Sequence, residues 1–193
     1  MNTIGPEELR TLPFLAGENF GAPAIPFSRE TLEQCADTHI LIFTPQIKWL
    51  TLTGLREKFG MDPAVSEPCM YNQDWYLRED FANEPLDGQW HLIPKAVREN
   101  ARGKQPEDIQ KGLQGEQFPN AITLTFTFFT WRLLKGETLW KHDYLWSSDT
   151  DHNGDRVYVG GYEDPVGINK NGFNVHRHLS LRAMHTAAPE VIS

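Results

Sequence analysis

The chain has 193 residues, of which 39% are hydrophobic, and a formal net charge of −8. This length and composition are typical of one globular domain with a substantial core. The negative charge argues against general nucleic-acid binding, because phosphate contacts need concentrated Lys and Arg.

The sequence contains two cysteines, Cys35 and Cys69, which are too few for a disulfide framework or a zinc site. It opens without the basic and apolar regions of a secretory signal, and its longest apolar run is shorter than a membrane span. We therefore expect a reduced, cytoplasmic protein with no membrane span.

The first 27 residues are rich in Gly and Pro and carry scattered large apolar side chains. Leu12, Phe14, Leu15 and Phe20 need burial. We therefore expect residues 1–27 to form an extended arm that packs on a domain formed by residues 28–193.

The next segments carry signals of a helix, a strand and a second helix. Ser28 is a suitable N-cap for a helix over residues 29–36. The continuous apolar run 39–43 predicts a buried central strand. Residues 52–59 predict a helix that ends at Gly60.

The middle of the chain predicts two strands and a helical turn. Residues 74–81 alternate weakly in polarity, which predicts a strand or a strand followed by a turn. Residues 88–94 follow an Asp87-Gly88 turn and predict a second strand. Pro106 is suited to open a helical turn over residues 107–113.

Residues 119–131 carry conflicting signals. Alternation of apolar residues with threonines favours a strand, whereas the spacing of Ala121, Leu124, Phe128 and Trp131 ahead of Gly136 favours a helix with a glycine C-cap. We predict a helix, against the local propensity of the threonines.

The C-terminal third reads as a series of short strands. The strand 144–149 leads into an Asn153-Gly154 turn, a strong hairpin signal, and residues 156–159 return with β-branched and aromatic side chains. Two further short strands are predicted around residues 167–168 and 179–181.

The order of these features resembles a known family. A Tyr-x-Trp-Ser-Ser strand at residues 144–148, a polar hairpin, a short Gly-Ile strand, an Asn-rich loop and a final Ser-Leu-Arg strand resemble the C-terminal half of C-type-lectin-like domains. The branch concerned includes formylglycine-generating enzymes and many uncharacterised bacterial proteins. The resemblance implies an α+β, C-type-lectin-like fold with small antiparallel sheets, two main helices and the N-terminal extended arm.

The enzymatic chemistry of that branch is not implied by the resemblance. Formylglycine-generating enzymes hold copper with a cysteine pair in their C-terminal half, whereas this chain has no cysteine after Cys69. No catalytic residue is assigned, and we expect a protein that is not an enzyme.

The hairpin tip carries a candidate calcium site. Asp149, Asp151, Asn153 and Asp155 supply the oxygen ligands that Ca²⁺ prefers. An EF-hand is excluded, since Gly160 stands where the bidentate Glu belongs and the flanking elements are strands. Either these side chains form a weak Ca²⁺ site or they stabilise the turn through their own backbone.

A ligand-binding surface is predicted in the same region, which resembles the variable proteins of diversity-generating retroelements. Tyr and Asn are favoured at binding surfaces, although loops of any β-domain are rich in Asn, Asp and Gly. Alternation in the strand 156–159 is expected to turn Tyr158 outward. The predicted ligand-binding residues are Asp151, His152, Asp155, Tyr158, Tyr162, Glu163, Asn169, Asn171, Asn174, His176 and His178.

The favoured hypothesis is a non-enzymatic ligand-binding, or display, protein whose partner is a protein or a small molecule. The alternatives are a metal-dependent or oxidative enzyme of the formylglycine-generating superfamily, and a structural subunit of a bacterial or phage assembly. Fold-level analogy does not decide among them.

Overall fold

A computed structural model describes residues 1–163, 171–178 and 180–193. Within these ranges the chain combines helices with small sheets, which confirms the predicted α+β class. None of the helices in this part of the chain has the length and apolar content that a bilayer crossing requires.

The N-terminal sheet contains β1 (Asn2–Ile4), β2 (His39–Phe43) and β3 (Trp90–Pro94), in that spatial order. β2 pairs parallel with β1 and antiparallel with β3. The apolar run 39–43 is therefore the central strand, as its composition predicted.

The first 27 residues are not extended throughout. They begin with β1 and continue through α1 (Pro6–Arg10) and a 3₁₀ turn at Pro13–Leu15. The apolar side chains predicted to need burial, Leu12, Phe14, Leu15 and Phe20, all lie in the main core. This segment is thus part of the sheet and of the core.

Three short helices agree with their sequence signals. In α2 (Arg29–Gln34) the Ser28 hydroxyl accepts a hydrogen bond from the Thr31 amide at 3.1 Å. The second helix, α3 (Leu52–Phe59), ends at Gly60. The third, α5 (Pro106–Gln110), begins at Pro106, as predicted. A further short helix, α4 (Asp80–Asn83), lies between α3 and α5.

The prediction of a strand over residues 74–81 is wrong. Trp75–Arg78 forms a 3₁₀ helix, and α4 follows it. The Trp75 indole N–H donates to the carbonyl of Val175 at 2.8 Å, while Tyr76 and Phe81 are buried. These long-range contacts fix the segment and override its weak alternation.

The helix α6 (Ala121–Lys135) confirms the helix predicted in residues 119–131, and its buried side lies in the main core. Asn120 caps its first turn, and Gly136 ends it in the left-handed conformation with φ 72°. The hydroxyls of Thr125, Thr127 and Thr130 each donate to the carbonyl four residues earlier at 2.7 Å. Because these hydroxyls are satisfied within the helix, the threonines can be buried on it.

The C-terminal sheet contains β5 (Tyr144–Thr150), β6 (Arg156–Gly160), β7 (Asn174–His176) and β8 (His185–Thr186), ordered β7-β6-β5-β8. A separate pair joins β4 (Glu116–Gln117) to β9 (Glu190–Val191). Residues 167–168, which were predicted to form a strand, lie outside the described residues. Of the strand predicted at residues 179–181, Leu179 also lies outside them, and residues 180–181 are not in a strand.

The two faces of the C-terminal sheet differ in what they contact. Leu145, Val157, Val159 and Val175 belong to the main core, which also contains the buried side of α6. Side chains at the alternate positions point to the opposite, outer face. The outer face carries the candidate functional site.

Candidate functional site

Five rings line the outer face of the C-terminal sheet. Trp146, Tyr158 and His176 are register partners across β5, β6 and β7, with ring centroids 4.9 and 6.1 Å apart. Tyr144 is the partner of His185 in β8, with a centroid distance of 5.5 Å. We call Tyr144, Trp146, Tyr158, His176 and His185 the aromatic face.

Much of the aromatic face is covered by residues 98–118. Ala101, Ile109 and Phe118 form a second core cluster with Trp146 and Tyr158, and the Trp146 indole N–H donates to the carbonyl of Lys104 at 3.1 Å. The expectation that Tyr158 faces solvent is therefore wrong. Its side chain points away from the main core, but it is only 1% exposed.

The two histidines of the aromatic face favour the neutral state. Burial lowers the pKa of both side chains, and the nearby His185 lowers the pKa of His176 further. Among the described residues, the buried His185 Nε2 and the buried Gln73 Oε1 have no hydrogen-bond partner. Gln73 contacts His176 through its amide nitrogen, 2.7 Å from Nε2.

A charged network holds the hairpin tip between β5 and β6. The buried Glu79 accepts hydrogen bonds from the His152 amide at 2.9 Å and from His152 Nδ1 at 2.7 Å. Arg177 pairs with Asp151 and lies 4.5 Å from the Trp75 ring centre. His178 Nε2 lies 2.5 Å from Asp155 Oδ2. We call Glu79, Asp151, His152, Asp155, Arg177 and His178 the hairpin-tip network.

A depression of 260 Å³ lies between the hairpin-tip network and the covered aromatic face. One side is formed by Gln105, Pro106 and Glu107 at the start of α5. The remaining walls come from Trp146 and Tyr158 of the aromatic face, from Gly154, Asp155 and Arg156 at the hairpin, and from His178.

The backbone of His178 is unusual for a residue with a side chain. Its φ of 63° lies in the left-handed region, where histidine is several-fold enriched among the few non-glycine residues found there. Its contact with Asp155 holds the imidazole at the rim of the depression. His178 and Asp155 are therefore held against each other at the rim.

The four predicted calcium ligands do not form one site. Asp149 Oδ2 instead accepts a hydrogen bond from the Ala121 amide at 2.5 Å, at the start of α6, and burial raises its pKa. Within the described ranges, Asp151, Asp155 and His178 are the residues whose potential ligand atoms come within 4.8 Å of one another.

The chemistry of Asp151 argues against a metal at that group. Burial alone would raise its pKa, but hydrogen bonds from the Asp155 amide, Arg177 and the Asn153 amide outweigh this effect and lower the pKa to about 2. Both carboxylate oxygens of Asp151 are thus already occupied. This favours the interpretation that Asp151 and Asn153 stabilise the turn.

Two other predicted ligand-binding residues are structural. Tyr162 is fully buried, with its ring centre 5.0 Å from that of Phe128 in α6. Asn174 is 4% exposed and donates from Nδ2 to the carbonyls of Gly161 and Gly172. The expectation that they lie on a binding surface is wrong, because the core and the adjacent loop occupy their side chains.

The remaining predicted residues lie apart from the depression or outside the described part of the chain. Asn171 is exposed, and Glu163 is half-buried with its carboxylate 3.5 Å from Lys141 Nζ. Asn169 lies outside the described residues. Of the predicted set, Asp155, Tyr158 and His178 line the depression, and Asp151 and His152 hold its hairpin.

The sequence interpretation missed Glu79, Arg177, Gln105 and Glu107. Glu79 lies 73 positions before His152, and its segment was assigned to a strand. For residues 105–107, the sequence predicted only a helical turn beginning at Pro106. That signal is local and could not predict that this turn lies next to the β5–β6 hairpin.

No family model, curated protein or solved structure matches this chain.

Proposed function

We propose that the chain is a non-enzymatic ligand-binding protein and that the depression beside the hairpin-tip network is its binding site. The main support is the convergence of three separate segments, residues 105–107, the β5–β6 hairpin and His178, on one concave surface. Small-ligand sites are concave and combine apolar or aromatic walls, here Trp146 and Tyr158, with precisely placed polar groups.

The size of the depression limits what it can hold. Its 260 Å³ is smaller than most ligand pockets, for which about 300–1,000 Å³ is typical. This favours a small polar molecule, or one side chain or head group of a larger partner. The hairpin-tip network adds rigidity, which lowers the entropic cost of binding.

We further propose that the fold is C-type-lectin-like and that the chain is a display protein of the kind diversified by retroelements. Support comes from the Tyr144–Ser148 strand with its hairpin, which follows the long helix α6. In the family that the sequence resembles, a helix also lies just before this strand. The test is the adjoining DNA, where a reverse-transcriptase gene and a near-copy of the 3′ end of this gene are expected. Their absence would refute the retroelement proposal and leave the binding site to its own test.

The binding site is tested by filling the depression. Glu107 is exposed, so Glu107→Trp should fold normally while its indole occupies the cavity. A fragment library is screened by ligand-observed NMR against the unaltered protein and this variant. Fragments that bind the unaltered protein should lose binding to Glu107→Trp and retain it with the control Glu30→Trp, an exposed position on α2. Fragments that bind both variants equally would show that the site lies elsewhere.

A further inference from the structure

A second cavity, of 360 Å³, lies between residues 13–18 and α3. Its volume falls within the range of about 300–1,000 Å³ that ligand pockets usually have. It shares no lining residue with the depression beside the hairpin-tip network. We call it the Trp49 cavity, and its lining residues are Pro13, Phe14, Ala16, Glu18, Trp49, Gly54, Glu57 and Lys58.

Trp49 gives this cavity an aromatic wall with a fixed position. The side chain is half-buried, and its indole N–H donates to Glu18 Oε1 at 2.6 Å. Its ring centre lies 6.4 Å from that of Phe14, with the two planes at 78°. Phe14 is buried and packs edge-on against Phe59 at 5.1 Å. The hydrogen bond and these edge-to-face contacts together hold the Trp49 ring in one orientation.

The backbone that carries Trp49 is constrained as well. A Cβ atom at Gly54 would lie 1.8 Å from the carbonyl oxygen of Trp49, so glycine is needed where α3 packs directly against this segment. Between them, Thr51 caps α3 by accepting a hydrogen bond from the Gly54 amide at 3.0 Å. The aromatic wall is therefore formed before any ligand arrives, which lowers the entropic cost of binding.

The charged groups of the Trp49 cavity do not define its ligand. Glu57 and Lys58 are exposed and opposite in sign, and Glu18 directs one carboxylate oxygen at the Trp49 indole. Because both signs of charge line the cavity, neither anions nor cations are strongly preferred. The property that selects a ligand is the apolar and aromatic surface, to which Trp49 and Phe14 contribute the rings.

We propose that the Trp49 cavity is a second binding site, which takes a small, free aromatic molecule. A ring of the ligand packs against the ring of Trp49 in the offset or edge-to-face arrangement that aromatic pairs prefer. An apolar cavity of about 150 Å³ holds benzene, so 360 Å³ is enough for a ligand of one or two rings. This site does not depend on the depression beside the hairpin-tip network.

The test compares an aromatic alcohol with its saturated analogue. The Trp49 indole N–H, assigned by its loss in Trp49→Phe, is followed by ¹H–¹⁵N NMR during titration with benzyl alcohol and, separately, with cyclohexylmethanol. Benzyl alcohol should shift this resonance saturably and bind about two- to tenfold more tightly, the effect of one aromatic pair beyond its buried area. Equal or tighter binding of cyclohexylmethanol would overturn the preference for an aromatic ligand.

Variants at the rim assign the binding to this cavity. Glu57 is exposed on α3, so Glu57→Phe should fold normally and place a ring beside Trp49 without adding an indole signal. Ala16→Phe does the same from the other side of the cavity. Benzyl alcohol should lose most of its affinity for these variants and keep it for the control Glu30→Phe, on α2. Unchanged binding to both rim variants would place the ligand elsewhere and refute the proposal.

The same spectra separate this inference from the proposed function. The Trp146 side chain lines the depression beside the hairpin-tip network, so its indole N–H reports on that site. A shift of the Trp146 signal alone would overturn the inference and support the proposed function. If neither signal shifts, the inference falls and the proposed function stands on its fragment screen. Tighter binding of Nα-acetyl-phenylalaninamide than of benzyl alcohol would show that the cavity takes a peptide side chain, which contradicts a free ligand.

Discussion

Trp146 connects β5 to the segment that covers the outer face of the C-terminal sheet. Its ring packs against Tyr158 and His185, and its indole N–H is bonded to the carbonyl of Lys104. We expect Trp146→Ala to lower the free energy of unfolding by about 3–5 kcal/mol, because it removes a large buried side chain and leaves a cavity. Urea unfolding followed by far-UV circular dichroism measures the change.

Val65 provides the control for this prediction. It is 83% exposed, so Val65→Ala should change the free energy of unfolding by less than about 0.5 kcal/mol. A Trp146→Ala protein as stable as the Val65→Ala control would show that residues 98–118 do not cover the aromatic face in solution.

Calcium should have little effect on this protein. Asp149 is engaged at the start of α6, and Asp151 is neutralised by Arg177, so the tip lacks the free carboxylates that a Ca²⁺ site needs. Millimolar calcium is therefore expected to leave the melting temperature unchanged, since a ligand stabilises only a state that binds it. A saturable rise that disappears in Asp155→Asn would contradict this account.

At the residue scale, the sequence predicted the direction in which a strand side chain points better than it predicted whether that side chain is exposed to solvent. Alternation correctly separated Tyr158 from the neighbouring valines of β6, because a strand has a fixed period of two. It could not show that residues 98–118 would cover that face. The predictions that Tyr162 and Asn174 lie on a binding surface failed for a similar reason. Tyr162 packs against Phe128 of α6, which is distant in sequence, and Asn174 donates to the carbonyls of Gly161 and Gly172, which come within reach only in the folded loop.

At the scale of elements, hydrogen bonds to side chains at the start of α6 stabilise this helix in addition to the packing of its buried side. Asn120 Oδ1 accepts from the Thr123 amide at 2.8 Å, and Asp149 accepts from the Ala121 amide. We expect Asn120→Ala to lower the free energy of unfolding by about 1 kcal/mol, the usual effect of losing an N-cap. Asn120→Ser retains a capping oxygen and should remain close to the unaltered protein in the same denaturant titration. Equal losses in both variants would point to packing of Asn120 and not to capping.

Helices with clear ends were predictable, whereas the 3₁₀ segment was not. Ser28, Pro106, Gly60 and Gly136 act locally, so each marked the start or end of a helix correctly. Trp75–Arg78 has no such local signal. Its conformation depends on the contact of Trp75 with β7, 100 positions later in the chain.

At the scale of the whole molecule, His91 ties β3 to the C-terminal strand β9. Its Nδ1 lies 2.5 Å from Glu190 Oε2, and its Nε2 lies 3.1 Å from Asp87 Oδ1. Gln117 of β4 donates to the other oxygen of Glu190 at 2.8 Å. Sequence could not predict this connection, because it joins positions 91 and 190 through side chains whose local patterns are ordinary.

The ionisation of His91 makes this connection dependent on pH. Burial alone would lower the pKa of His91, but its hydrogen bonds to Asp87 and Glu190 outweigh burial and raise the pKa from 6.5 to about 9. A histidine with a raised pKa in the folded state stabilises the fold fully below its unfolded pKa, and that stability is lost as pH rises through the folded value. The contribution of His91 should therefore be complete below pH 6.5 and disappear above about pH 9.

Comparison with His91→Gln isolates this contribution. Glutamine can still hydrogen-bond but carries no charge, so the variant should be less stable than the unaltered protein near pH 6.5 and the difference should shrink toward pH 9. The half-buried His176 and the buried His185, whose pKa values are lowered, act in the opposite sense, because their contributions to stability are lost below pH 6.5. Both histidines are present in both proteins, so their effects cancel in the difference. Urea unfolding across this pH range gives the difference directly. If it stays constant from pH 6.5 to pH 9, His91 is not protonated between Asp87 and Glu190, and the link between β3 and β9 rests on neutral hydrogen bonds.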